Sequence, residues 1–336
     1  MKRIFIFGTG MSAVSFLKVL DESLVYGFID NDKAKIGKYF FGKKTYSIDY
    51  IKDRFNENLF IYIASERYHE ISAQLEILGY LNEVHFKTEK QFYLEKIDSF
   101  LISFMKSGRT WLRYILGSYV TKEDNTISIL DVTDGVFIPF LKTRIKAYHD
   151  DSPHLKNCLD LSATKEEYYD KSVVYLVRHP LDVLVSLFYH FRFRSKQYEG
   201  DINKFCLEQI DSLIAYNNIW ARQLVNIDHH IIIRYEDLKN KPYATMQSLF
   251  SFFNIQISFD EISTLIDETS IDKMKAYELN NNERNPQLSS KFYDKNINAR
   301  KVRKGQVGSY KNELDNQTLD FLERKIDLEL NDIYGY

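Results

Sequence analysis

Phe100-Leu101-Ile102-Ser103-Phe104-Met105-Lys106-Ser107-Gly108-Arg109-Thr110-Trp111 opens as an apolar burst, breaks at a Lys-Ser-Gly turn and runs directly into a helical pattern through Tyr119. A strand that yields to a helix at a glycine is suited to cradle an anion. Backbone N–H groups at the helix start point outward, the helix dipole favours negative charge, and Lys106, Ser107 and Thr110 add side-chain donors. On this segment alone a plain strand-to-helix turn would look the same. A nucleotide-triphosphatase loop needs Gly-x-x-x-x-Gly-Lys-Ser/Thr, with lysine after the loop and the hydroxyl on magnesium. Here lysine precedes Ser-Gly and no early glycine is present. A nucleotide kinase is therefore the rival reading, not the first one.

The same cycle recurs downstream. Val173–Val177 is a continuous apolar strand that runs into Arg178-His179-Pro180 and a helix to about Phe191, and Ile231–Arg234 is a further buried strand. Ser186 follows Arg178 by eight positions, a little over two turns into that helix, so both can face one anion. An arginine at a strand end is also an ordinary surface ion-pair partner. Near the C-terminus, Arg300-Lys301-Val302-Arg303-Lys304-Gly305-Gln306-Val307-Gly308 places four cations and two glycines within nine residues. A solvated basic loop is the plain account; closure over a phosphate ester with guanidinium and backbone donors is the functional one.

Upstream lies a separate α/β pattern. An apolar burst over residues 3–7 meets Gly8-Thr9-Gly10-Met11-Ser12-Ala13 and a helix through Leu20, followed by bursts at Val25–Ile29 and Leu59–Ala64 and a short strand near Val84–Phe86. This predicts two domains with parallel sheets: a small Rossmann-like one over residues 1–95 and a larger one over 96–336. Gly8-x-Gly10-x-x-Ala13, with Asp30 twenty residues after Gly10, satisfies the dinucleotide fingerprint of tight turn, pyrophosphate approach and ribose carboxylate. About 95 residues leave no room for a six-stranded sheet plus a substrate domain, so an independent dehydrogenase is not expected.

Composition bounds the rest. The 336 residues are 44% hydrophobic and 15% aromatic with only 5 prolines, which argues for a folded globular chain. A formal net charge of −2 supplies no global field for nucleic acid or an anionic membrane, so any anion site is local. Cys158 and Cys206 form neither a disulfide framework nor a metal-ligand spacing. Together with the lack of a signal-peptide core or a membrane-spanning run, they predict a cytoplasmic protein without a metal. The polar stretch 280–300 reads as a mobile loop.

These residues resemble the sulfotransferases that use 3′-phosphoadenosine-5′-phosphosulfate (PAPS), a family with a P-loop-like α/β fold, over roughly residues 97–336. Lys106-Ser107-Gly108-Arg109-Thr110-Trp111 resembles the family's Lys-Ser-Gly-Thr-Thr-Trp loop, which implies that Lys106 and Thr110 hold the 5′-phosphosulfate and Trp111 packs against adenine. Arg178-His179-Pro180-Leu181-Asp182 with Ser186 is similar to the 3′-phosphate element, and Arg303-Lys304-Gly305-Gln306-Val307-Gly308 to the Arg-Lys-Gly-x-x-Gly loop that closes on the same phosphate. Tyr235-Glu236-Asp237-Leu238 and Thr269-Ser270-Ile271 resemble the adenine-side segments. Met105 stands where a proline is often seen, and Arg109 where the family has a threonine.

The resemblance implies transfer of a sulfuryl group to a hydroxyl or amine acceptor, with catalytic roles for Lys106 and Ser186 and a histidine base. His149, in Arg144-Ile145-Lys146-Ala147-Tyr148-His149-Asp150-Asp151, is the candidate for the base, and His154 the competitor. The family's lysine and histidine are two apart; Lys146 and His149 are three apart, so either the strand end bulges or Lys146 is not equivalent. Acceptor-shaping loops are expected at 121–165 and 190–215. Gly27-Phe28-Ile29-Asp30-Asn31-Asp32 and Ile36-Gly37 resemble the nucleotide-sugar-binding domain that precedes some bacterial sugar acyltransferases. That likeness implies a nucleotide-sugar ligand, with NAD as the alternative, and a sugar or glycan acceptor. A docking role for this domain, or a catalytically silent nucleotide or glycan binder, is the non-enzymatic reading.

Overall fold

The computed structural model describes residues 3–52, 54, 58–65, 67–123, 126–149, 164–280, 297–300, 302 and 305–336. Two compact units are present: Met1–Ile97 with Asp134–Val136, and Asp98–Thr133 with Phe137–Tyr336.

The first unit runs β1 (Arg3–Phe7), α1 (Met11–Leu17), β2 (Val25–Ile29), β3 (Tyr39–Phe40), β4 (Lys43–Tyr46), β5 (Leu59–Ile63), α2 (Tyr68–Ile77), β6 (Phe86–Thr88) and α3 (Glu89–Lys96). The strands form one sheet in the order β3-β4-β2-β1-β5-β6, parallel except for the β3–β4 pair. Six strands fit in this short unit because β3 is only two residues long and folds back on β4 as a hairpin. Apolar side chains of β1, β2 and β5, among them Phe5, Phe7, Ile29, Ile61 and Ile63, pack with Ile71 and Leu75 of α2. The β1–α1 turn is where glycine is obligatory. Gly8 has φ +119, and a Cβ there would stand 2.4 Å from the carbonyl oxygen of Ala64, just after β5. Gly10, at φ −96, has open space around it.

The second unit continues β7 (Ser99–Ile102), α4 (Arg109–Glu123), β8 (Asp134–Ile138), β9 (Thr143–Tyr148), β10 (Ser172–Val177), α5 (Pro180–Tyr189), α6 (Ile202–Leu224), β11 (His229–Arg234), α7 (Tyr235–Asn240), α8 (Pro242–Phe252), α9 (Phe259–Glu268), α10 (Ile271–Asn280) and α11 (Asn316–Glu329). Its sheet order is β11-β10-β7-β9-β8, with β11, β10, β7 and β9 mutually parallel. Central strands are apolar on both faces, as they must be when helices cover both sides: all of β7 and Val173–Val177 of β10 are buried. Because the strands are parallel, the turns after β7, β9, β10 and β11 emerge at one edge of the sheet, where open α/β folds place ligands.

One expectation is corrected. The acceptor loop expected across 190–215 is largely helix: a π-helical turn over His190–Arg194 extends α5, and α6 occupies the region from Ile202. Cys206 is buried in α6, its thiol pushed up to about 12 by burial, so it is an inert core residue. Cys158, His154 and most of the 280–300 stretch lie outside the described residues. Among the described residues no helix is long and apolar enough to cross a membrane, and no cluster of metal-ligating side chains occurs.

The Gly8 contact is directly testable. Gly8→Ala is expected to destabilise the protein by about 1–3 kcal/mol through the forced φ and the clash with Ala64. Gly10→Ala should cost less than about 1 kcal/mol, the loss of a favourable N-cap residue. Urea unfolding of both variants reads the difference.

Candidate active site

The turn after β7 is unusual in its backbone. Lys106 is held at φ +66 and Gly108 at φ +97, two left-handed residues within three positions. Holding a lysine there costs on the order of 1–3 kcal/mol and persists only where the surroundings enforce it. Gly108 cannot be replaced without movement: a Cβ would lie 2.4 Å from the ring of Tyr235. The first bonds of α4 run from the N–H groups of Trp111 and Leu112 to the Gly108 carbonyl, so the N–H groups that precede them lie ahead of the helical ladder. Ser107 is buried, and Arg109 and Thr110 are half-buried in the first turn.

Arg178, at the end of β10, binds this turn to two others. Its Nη1 donates to the Lys106 carbonyl at 3.5 Å and its Nη2 to the Gln306 carbonyl at 2.9 Å. Its guanidinium carbon lies 4.4 Å from the centre of the Tyr235 ring, and its Nη2 is 3.7 Å from Asp182. The Nε is buried without a hydrogen-bond partner among the described residues. Tyr235, the first residue of α7, donates its hydroxyl to the Gly305 carbonyl at 3.3 Å, and a Cβ on Gly305 would stand 2.2 Å from Cδ1 of Ile271. Segments 106–111, 178–182, 235 and 305–308, far apart in the chain, therefore meet around one arginine. Arg303 and Lys304 lie outside the described residues.

Trp111 meets Tyr235 edge-on at 5.5 Å, donates its indole N–H to the Thr269 carbonyl at 2.9 Å and carries the Lys239 ammonium 4.4 Å from its ring centre. Burial, with Arg178 and Lys275 nearby, lowers the Lys239 pKa. Thr269 itself is buried and turns its hydroxyl to the Leu265 carbonyl, so its backbone, not its side chain, faces Trp111. Ser186 is half-buried one turn beyond Asp182 on the same face of α5.

His149 follows β9 directly. β7 and β9 pair in register, Ser99 with Ile145 through Ile102 with Tyr148, so no bulge interrupts them. The paired stretch is unbulged, and His149 lies one residue beyond it. The His149 Nδ1 lies 3.3 Å from the Ser103 carbonyl, while its own carbonyl accepts the Tyr216 hydroxyl at 2.8 Å. A carbonyl only accepts, so in this contact Nδ1 is the donor.

Sequence reasoning gave no role to the shell behind Arg178. Glu236 accepts the His179 N–H through Oε1 at 3.0 Å and the Tyr336 hydroxyl through Oε2 at 2.5 Å. His179 caps α5 by accepting the Leu181 N–H on Nδ1 and stacks on Tyr310 at 4.7 Å. Burial pushes His179 below its ordinary pKa, against the pull of Asp182 and Glu236, and burial likewise raises Tyr310 to about 12. The only signal in the sequence was their adjacency to the Arg178 and Tyr235 motifs.

In the first unit a cleft of about 940 Å³ opens at the carboxyl ends of β1, β2 and β5, lined by Gly8, Thr9, Gly10, Asp30, Lys35 and Arg67 among others. Asp30 Oδ2 accepts the Thr9 hydroxyl and, at 3.1 Å, the Lys35 ammonium, while Oδ1 accepts the Asp32 N–H at 2.9 Å. Burial opposes ionisation of Asp30, but these bonds outweigh it and hold the carboxyl below its usual range.

Residues 96–333 match the sulfotransferase domain family. The chain belongs to that family. It is an enzyme that transfers a sulfuryl group from PAPS, which decides against the kinase and silent-binder readings. Residues 1–84 match a family described as C2185-like, N-terminal. Flavonol 3-sulfotransferase of Flaveria bidentis is 24% identical, covering 72% of this chain and 85% of its own length. Amine sulfotransferase of Oryctolagus cuniculus is 26% identical, covering 72% and 83%. The structure of retinol dehydratase with retinol and PAP superposes with a TM-score of 0.52 at 18% identity, covering 70% of this chain and 81% of that one, a likeness of fold.

A neutral His179 carries a pH signature. Its folded pKa is depressed, so its contribution to stability is present above the unfolded value of about 6.5 and is lost as pH falls through the folded pKa. Thermal melts between about pH 5 and 8 should show stability falling on the acid side of that window. His179→Asn, which keeps a cap acceptor, should flatten the slope.

Proposed function

We propose that the Lys106 turn, the Arg178 element and the 305–308 segment together grip PAPS, and that the sulfuryl group passes to a hydroxyl or amine of a sugar or glycan. The observation that carries the reading is the convergence on Arg178, whose buried Nε has no hydrogen-bond partner among the described residues and suits an anion. Arg178 and Ser186 take the 3′-phosphate, with Arg303, Lys304 and Gly305 closing on it. Lys106, Ser107, Gly108, Arg109 and Thr110 take the 5′-phosphosulfate. Trp111, Tyr235, Thr269 and Ile271 border the adenine. When bound, PAPS supplies an activated sulfuryl group. Lys106 offsets the charge that develops on the departing oxygen as the sulfur–oxygen bond breaks. The Nε2 of His149 takes the acceptor proton as the new oxygen–sulfur or nitrogen–sulfur bond forms. Relatives named for a flavonol and for an amine support both acceptor chemistries.

The carbohydrate acceptor rests on the first unit. Its cleft lies at the topological switch point between β1 and β5, where doubly wound folds bind nucleotides, with Gly8 and Gly10 in the turn and Asp30 at the end of β2. A nucleotide-sugar fits that arrangement, with NAD as the competing ligand. The two-cysteine composition supports a cytoplasmic location.

Lys106→Ala should lower the rate of radiolabelled sulfate transfer by about 10²–10³-fold with the fold intact by circular dichroism. His149→Ala should remove turnover while calorimetric affinity for adenosine 3′,5′-bisphosphate stays at the wild-type level. Retained activity in both variants would overturn these roles. Titration of the full chain with UDP-sugars and NAD should give heat with one of them, weakened about tenfold in Asp30→Asn. No heat with any would leave the first unit a docking role.

A further inference from the structure

Asp182 has no assigned part in the reaction, yet its carboxylate is the most completely enclosed charge near Arg178. Its side chain is 0% exposed. A carboxylate in that position is tolerated only when its lone pairs are filled. The Gly308 N–H donates to Oδ2 at 2.8 Å and the Ser309 hydroxyl to Oδ1 at 3.1 Å, bonds that span more than 120 residues of sequence. Gly308 is at φ +73, which points its N–H into α5, and Gly305 and Gln306 are already held by Tyr235 and Arg178. Segment 305–309 is thus pinned at two points, by Arg178 at one end and by Asp182 at the other. A carboxylate so placed would repel a phosphate if it faced one. Its acceptors are instead spent on the segment.

We propose that Asp182 is a positioning residue that sets selectivity for the 3′-phosphate of the donor, by tethering segment 305–309 to the Arg178 turn without touching the ligand. The proposal rests on the reading that Arg178 and this segment bind the 3′-phosphate. Loosening the tether weakens the grip on that phosphate more than on the 5′ end, where Lys106 and the start of α4 act and Asp182 reaches only through Arg178.

The test is discrimination between two nucleotides that differ only in that group, adenosine 3′,5′-bisphosphate and AMP, titrated calorimetrically into the full chain. Asp182→Asn keeps one acceptor oxygen but turns the other into an amide donor facing an N–H or O–H donor. Its affinity for the bisphosphate should fall on the order of tenfold to a hundredfold, with AMP changed less than about threefold. In turnover the KM for PAPS should rise by the same factor while kcat stays near wild type. Ser309→Ala, which removes one of the two bonds and is less disruptive should Asp182→Asn not fold, should shift the ratio in the same direction by a smaller factor. Equal loss for both nucleotides would make Asp182 a general structural residue. An unchanged ratio in both variants, with wild type preferring the bisphosphate, would refute the tether alone. A wild type with no preference would remove the underlying site reading and the tether with it.

Discussion

A buried guanidinium must be neutralised and hydrogen-bonded, and Arg178 has the Asp182 carboxylate 3.7 Å away for charge and backbone carbonyls from two remote segments for its hydrogen bonds. Those bonds oblige the Lys106 turn and the 305–308 segment to stand beside β10. The left-handed conformation of Lys106 is then enforced, since its carbonyl is one of the acceptors and Tyr235 leaves no room for a side chain at Gly108. Three stretches that are far apart in the chain meet because a single cation holds them.

The acidic groups around Arg178 are engaged by protein donors. Asp182 and Glu236 are both near Arg178, and either would weaken anion binding if it faced the ligand. Both are committed elsewhere, Asp182 to Gly308 and Ser309 and Glu236 to His179 and Tyr336. His179 stays neutral under burial, so it adds neither charge nor repulsion and serves as a cap. The carboxylates of this network are held by protein donors, while the Arg178 Nε is buried without a partner among the described residues.

What could be read from the sequence was local. Strand-turn-helix signals at Phe100–Trp111 and Val173–Ser186 rest on hydrophobic runs broken by glycine or proline, and the structure places those elements within a few residues of expectation. The hidden parts depend on contacts between distant residues. Nothing local tells that Thr269 offers its carbonyl rather than its hydroxyl, or that Glu236 serves His179. The three-residue spacing of Lys146 and His149 left two options in the sequence, and the strand register with β7 shows no bulge over Ile145–Tyr148. The hairpin of β3 and β4 was missed in the first unit because strands of two and four residues leave almost no periodic signal.

The first unit raises a constraint of its own on any nucleotide reading. A carboxylate offers about four acceptor positions, and Asp30 has three filled by Thr9, Lys35 and Asp32. One position on Oδ1 is left for a ligand hydroxyl. A ribose gripped through both of its hydroxyls by this carboxylate would have to displace the Lys35 ammonium, whereas a single hydroxyl contact leaves the pair intact. Lys35 is 44% exposed, so its displacement costs little more than a weak surface ion pair. The ammonium released would then stand beside the same ligand, free to meet its phosphates. Asp30 and Lys35 therefore suit a ligand that carries hydroxyls and negative charge close together, the combination that a nucleotide-sugar and NAD share.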